Sequence, residues 1–178
     1  MKNEWDPRQL DVRAFARAGG HMQGQSELSQ WQRLAPEAAQ TDGSVQWTLS
    51  GSTRAVTLGQ EQIWLEVRAQ LDIALTCQRC LSSVRYPLQV ERAFRFVADE
   101  TVAIEEDEHS EEDVLAWSHR FDALELLEDE LIMVLPMIPM HEDCQGEHVL
   151  TSKDEPESEV KRPNPFAVLS SLRKDGAK

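Results

Sequence analysis

An α+β fold, mainly antiparallel β-sheet with a barrel-like core and a few short helices, is what this sequence predicts. Three observations carry the prediction. Seven apolar residues alternate from Ile63 to Leu75, and a second alternating run follows from Val84 to Phe96. A capped amphipathic helix is then written into residues 122–135.

The elements follow in order. "DPRQLDVRAFARAGG" predicts a first short helix, with Asp6 as its cap, Pro7 at the first helical position and Gly19–Gly20 at its end. "HMQGQSEL" predicts a short strand, and "SQWQRLAPEAA" a brief helix with Trp31 and Leu34 on one face. "VQWTLSG" alternates through Val45, Trp47 and Leu49. In the longest run, Ile63, Leu65, Val67, Ala69, Leu71, Ile73 and Leu75 alternate with mostly polar positions, so one face is buried and the other wet. Val84, Tyr86, Leu88, Val90, Phe94 and Phe96 share one phase, interrupted by Arg92. Pro87 sits on the opposite phase and predicts an edge or a bulge. Two strands flanking a short link predict an antiparallel pair.

From Asp99 to Asp113, nine of fifteen residues are acidic and none is Lys or Arg, which predicts a solvated, mobile loop. In "FDALELLEDELIMVLP", Asp122 caps a helix with Glu125 three residues on, and Phe121 with Leu126 forms a staple. Leu124, Leu127, Leu131, Val134 and Leu135 make its apolar stripe. Glu128, Asp129 and Glu130 are expected on its wet face, and Pro136 stops it. Residues 1–150 are thus read as one domain. "TSKDEPESEV" opens a flexible linker over 151–162, and residues 163–178 form a helical tail. Asn164 caps the tail, Pro165 begins it, and Phe166, Leu169 and Leu172 form an apolar stripe. A helix so short is marginal alone and needs a surface to dock on, either its own domain or a partner.

Composition restricts the function. A net charge of −14 repels nucleic acid, because phosphate binding needs clustered Lys and Arg. Any connection with RNA is therefore expected to run through a protein partner or a local basic patch. The N-terminal "MKNEWDPRQLDVRAF" lacks the apolar core of a signal peptide, and nowhere do 18 apolar residues stand together. Three cysteines, an odd count, argue against a disulfide framework and for a reducing compartment, so a cytoplasmic location is expected. Gly-rich phosphate loop, nucleophile elbow and zinc-protease motif are all missing, and no small-molecule substrate or catalytic residue emerges.

The chemistry that does stand out is "LTCQRCL". Cys77 and Cys80 at C-x2-C spacing can aim two thiolates at one zinc ion, and His141, Cys144 and His148 in "HEDCQGEH" offer the rest of a four-ligand set. Cys77, Cys80, Cys144 and His141 make a Cys3His site, with His148 as the alternative fourth ligand. Two other readings stay open: a redox pair, which would need the motif at a helix N-terminus rather than before a strand, and a metal-free turn packing two small thiols.

Three segments together carry a resemblance: "CQRCL" after a long strand, "LLEDELIMVLPMIPMHEDC", and "KRPNPFAVLSSLRK". This combination resembles the YceD family, the large ribosomal RNA subunit accumulation proteins. The matching positions include Cys77, Arg79, Cys80, Glu128, Glu130, Leu135, Pro136, Pro139 and His141. In the tail they are Pro163, Asn164, Pro165, Phe166, Leu169 and Leu172. The resemblance implies a bacterial cytoplasmic protein that supports synthesis, processing or stability of 23S ribosomal RNA, and it supplies no catalytic residues. Joined to the acidic composition, it leads to a non-enzymatic assembly factor that binds a ribosomal or assembly protein and meets rRNA indirectly. A zinc-containing RNA-binding module and an rRNA-processing enzyme are the competing classes.

Overall fold

The computed structural model describes residues 5–55 and 61–144. The linker, the tail with Asn164, Pro165, Phe166, Leu169 and Leu172, and His148 lie outside the described residues.

The order of elements is α1 (Val12–Arg17), β1 (His21–Glu27), β2 (Ser44–Ala55), β3 (Glu61–Thr76), β4 (Ser83–Val97), α2 (Glu100–Asp107), β5 (Asp113–Ala116) and α3 (Ala123–Met133), with two single 3-10 turns at 28–30 and 35–37. The strands form one sheet in the sequential order β1-β2-β3-β4-β5. The first four pair antiparallel and β5 joins β4 in parallel. The sheet is open, with β1 and β5 at opposite edges. No helix of the described residues is long and apolar enough to cross a membrane.

The β3–β4 hairpin is the spine. Its register sets Leu65 opposite Phe94, Ala69 opposite Val90, Leu71 opposite Leu88 and Ile73 opposite Tyr86, so the two predicted apolar phases meet on one face. That face is covered by Val12 and Phe15 of α1 and by Leu124, Leu127 and Leu131 of α3. Gly51 of β2 lets α1 come close: a Cβ there would lie 2.7 Å from the Phe15 ring and 2.8 Å from the Ala16 backbone. Pro87 pairs with Asp72, in the stretch where β4 has no strand on its outer side, since β5 reaches only Phe94–Val97.

Four local expectations need correction. The first helix begins at Val12, capped by Asp11, whose carboxylate accepts from the Ala14 amide at 2.9 Å. Asp6 instead closes a turn by accepting from the Arg8 amide. Leu10 between them exchanges two backbone hydrogen bonds with Phe121, an extended bridge that a helix from Pro7 would forbid. Residues 29–39 form 3-10 turns rather than a helix, although Trp31 and Leu34 are both buried.

The acidic run is not a bare loop. Glu100–Asp107 is helical, with Asp99 as its cap, and β5 starts at Asp113. The cause is Arg95 of β4, which is buried and bonded to Glu106, to Glu112 at 3.0 Å and to Ser110 at 2.8 Å. A cation taken out of water needs such partners, and the acids come from the sequence that follows.

The fourth correction concerns α3. Asp122 caps it as predicted, accepting from the Leu124 and Glu125 amides. Glu128 and Glu130, expected in water, are buried. Glu128 accepts from the backbone amides of Arg33 (2.7 Å) and Leu34 (3.0 Å), and Glu130 lies 3.5 Å from Arg92. Arg92, the polar break in the apolar phase of β4, also donates to Asp113 at 2.6 Å. It is the partner that lets a carboxylate of α3 face the sheet.

Candidate metal centre

The turn between β3 and β4 is a knuckle. Cys77 donates its amide to the Ser82 carbonyl at 2.9 Å, and the Cys77 carbonyl accepts from the Leu81 amide at 2.9 Å. Leu81 carries φ 61°, the left-handed conformation that lets the chain reverse within so few residues. The knuckle therefore points backbone N–H groups and both thiols at one spot.

The remaining donors arrive from α3. Pro136 and Pro139 forbid helix beyond its end, and the extended chain runs back along the hairpin. It is strapped there by the Gln78 amide, which donates to the Pro139 carbonyl at 2.8 Å. Tyr86 straps it again: its hydroxyl donates to the Met140 carbonyl at 2.6 Å and accepts from the Met140 amide at 2.8 Å. The Arg79 guanidinium donates to the Cys144 carbonyl at 3.1 Å. These four hydrogen bonds bring His141 and Cys144 over the knuckle without any metal being needed to explain the path.

The result is a cluster of Cys77, Cys80, His141 and Cys144 whose donor atoms all lie within 4.8 Å of one another. The Cys77 and Cys144 sulfurs are 3.7 Å apart, far beyond a disulfide, and all three cysteines are free. Cys80 Sγ stands 3.5 Å from His141 Nδ1. Ligands around tetrahedral zinc, with bonds of about 2.3 Å to sulfur and 2.0–2.1 Å to nitrogen, would be separated by ~3.8 Å for two sulfurs and ~3.6 Å for sulfur and nitrogen. The Cys77–Cys144 and Cys80–His141 edges of the cluster match these values. His141 is also oriented correctly: Nε2 lies 3.1 Å from the Ser83 carbonyl, so it carries the proton and leaves the Nδ1 lone pair facing the sulfurs.

The thiols are unequal. Burial pushes the Cys77 thiol up, but the amides of Cys80, Arg79 and His141 and the Cys80 thiol outweigh it and hold Cys77 down to about 5. The Ser82 hydroxyl and amide lower Cys80. Burial and then the neighbouring Cys80 and Cys77 sulfurs push Cys144 up to about 11. The Cys77 contact and the Ser83 carbonyl raise His141. Negative charge thus gathers at the knuckle and makes the third thiol reluctant to ionise. A dication removes that reluctance by neutralising the set. The donor chemistry, three sulfurs and one imidazole, suits zinc.

The four expected ligands are brought together. Sequence reasoning missed Ser83, Tyr86 and Leu81, which hold the site without ligating; the lone tyrosine of the chain, just after the knuckle, is the only sequence sign of the second strap.

Comparison with known proteins adds an independent line. The family model described as "Large ribosomal RNA subunit accumulation protein YceD" matches residues 65–173, from mid-β3 through the cluster and into the tail. A curated relative from Haemophilus influenzae, named Large ribosomal RNA subunit accumulation protein YceD, is 32% identical over 156 residues, covering 84% of this chain and 86% of that protein. No solved structure matches.

Proposed function

Since the chain belongs to the YceD family of large ribosomal RNA subunit accumulation proteins, we propose that it is a non-enzymatic ribosome-biogenesis factor of the cytoplasm. It supports accumulation of 23S rRNA by holding a basic ribosomal or assembly protein, and zinc staples the surface that does so.

The observation that carries this reading is the closed donor set. A catalytic zinc keeps one position open for water or substrate, whereas the four side chains gathered here would fill all four positions of a structural ion. Cys77, Cys80, His141 and Cys144 would hold the ion; its chemistry would be charge neutralisation and cross-linking of the segment after α3 to the β3–β4 hairpin. The net charge of −14 adds the second half: such a body repels phosphate and attracts cationic protein. In the same reading the tail, through Asn164, Pro165, Phe166, Leu169 and Leu172, docks as a short helix in a partner's groove.

Cross-linking the chain in the cells that make it, followed by identification of the attached molecules, tests the role. The expected product is a basic large-subunit ribosomal or assembly protein. Firm binding of the purified chain to naked 23S rRNA at cell-like salt would instead assign an RNA-binding module, and cleavage of precursor rRNA by the chain alone would assign a processing enzyme.

A further inference from the structure

The segment joining α3 to the metal centre carries side chains that the fold does not use. Met137 is 99% exposed, Met133 and Leu81 are 73% exposed, and Ile138 and Met140 are also exposed. The straps from Gln78 and Tyr86 hold Pro139 and Met140 beside the knuckle that presents Leu81, and Met133, Met137 and Ile138 lie in the seven residues that lead to them. Several large apolar side chains exposed within one short segment mark a candidate interaction site.

Leu81 sharpens the point. At φ 61° a glycine would be unstrained, and the exposed leucine recovers nothing by packing within the chain. The methionines, flexible and polarisable, suit a surface that moulds itself to a partner.

The charge around the patch selects the partner. Residues 121–144 contain seven Asp and Glu and no Lys or Arg, but Glu128 and Glu130 are buried, Asp122 caps α3 and Asp129 is paired with Arg33, which leaves the end of the segment to supply the charge beside the patch. Glu142 and Asp143 are exposed at its edge. Arg79 of the knuckle is turned onto the Cys144 carbonyl. We infer that the patch of Leu81, Met133, Met137, Ile138 and Met140 is the docking surface for a basic amphipathic helix of a partner protein, its apolar stripe on the methionines and its Lys and Arg on Glu142 and Asp143. This rests on the protein-binding reading above and names the surface and the partner chemistry.

The test uses the full zinc-loaded chain and two synthetic Leu/Lys peptides of identical composition, one with helical periodicity and one scrambled, compared by fluorescence anisotropy at about 0.15 M salt. The periodic peptide is expected to bind roughly tenfold or more tightly than the scrambled one, because only it presents a stripe that buries apolar area. The double variant Met137→Ser, Ile138→Ser leaves net charge and core unchanged and is expected to abolish that preference. Leu81→Gly is expected to raise thermal stability while weakening the periodic peptide, a pairing that general damage cannot produce.

Equal binding of the two peptides, or an unchanged preference in the double variant, overturns the inference. So does a concentration-dependent dimer that the double variant dissociates, since the occupant would then be a second copy. If either happens while cellular cross-linking still returns a ribosomal protein, this docking surface is wrong and the broader role stands.

Discussion

Replacing Glu128 by alanine tests whether α3 is held from outside itself. Among the described residues the carboxylate is the acceptor for the amides of Arg33 and Leu34, at 2.7 and 3.0 Å, and its side chain is 10% exposed. Leaving a buried donor unsatisfied costs about 1–3 kcal/mol. Leu34 is fully buried and bears that in full, while the half-exposed Arg33 can recover a water. The Arg33 guanidinium, 3.5 Å from Glu128 but half-exposed, adds little. The sum is about 3 kcal/mol for Glu128→Ala. Glutamine keeps one oxygen in place for both amides and loses only the charge assistance, so Glu128→Gln is expected to lose about 1 kcal/mol. For a chain of this size the alanine variant would melt about 6–12 °C lower. Urea unfolding with an unchanged m-value is the assay. A loss below about 0.5 kcal/mol for alanine would mean that the carboxylate is solvated and the packing of α3 described here is wrong.

Other outcomes follow from the same structure. Arg95→Met removes the cation that orders the acidic helix, so amides of residues 100–107 should lose hydrogen-exchange protection while the β3–β4 pairing keeps its own; protection retained in α2 would refute the role given to Arg95. Glu130 titrates above its usual value because burial outweighs Arg92, with Asp113 and Asp129 adding to the rise. Its folded pKa exceeds its unfolded one, so its contribution to stability is full below about 4.5 and is lost as pH rises through the folded value. Stability of the parent relative to Glu130→Gln should therefore fall with pH across that window, and a rise would contradict it. Stripping metal with a strong chelator should lower the melting temperature by about 5 °C or more and expose the amides of residues 78–82 to exchange. An unchanged melting curve would speak for a metal-free turn.

The legible parts of this fold are those whose partners are close in sequence or whose pattern has a short period. Ile63 to Leu75 could be read because a half-buried strand repeats every two residues, and α3 because Asp122 meets its amides within one turn. The donor set was legible too, since residue types with few other reasons to cluster stand at ligand spacing. What escaped depends on distance. Glu128 looks like a solvated glutamate until amides more than ninety residues away come to meet it. The acidic run looks unfoldable until Arg95, itself hidden in an alternating strand, is seen beneath it. Asp6 and Asp11 offer the same side chain to a following amide, and only the pairing of Leu10 with Phe121 decides which of them caps a helix. Charge on the sequence says which residues need partners; the fold alone says where they find them.

The zinc content of the full chain, measured by native mass spectrometry after purification under reducing conditions, bears most directly on the proposal. One zinc ion per chain is expected, lost in Cys77→Ser and in Cys144→Ser and retained when His148 is replaced, because His141 Nδ1 already faces the sulfurs. A chain that stays metal-free after reconstitution with zinc, its three thiols all open to alkylation, would contradict it.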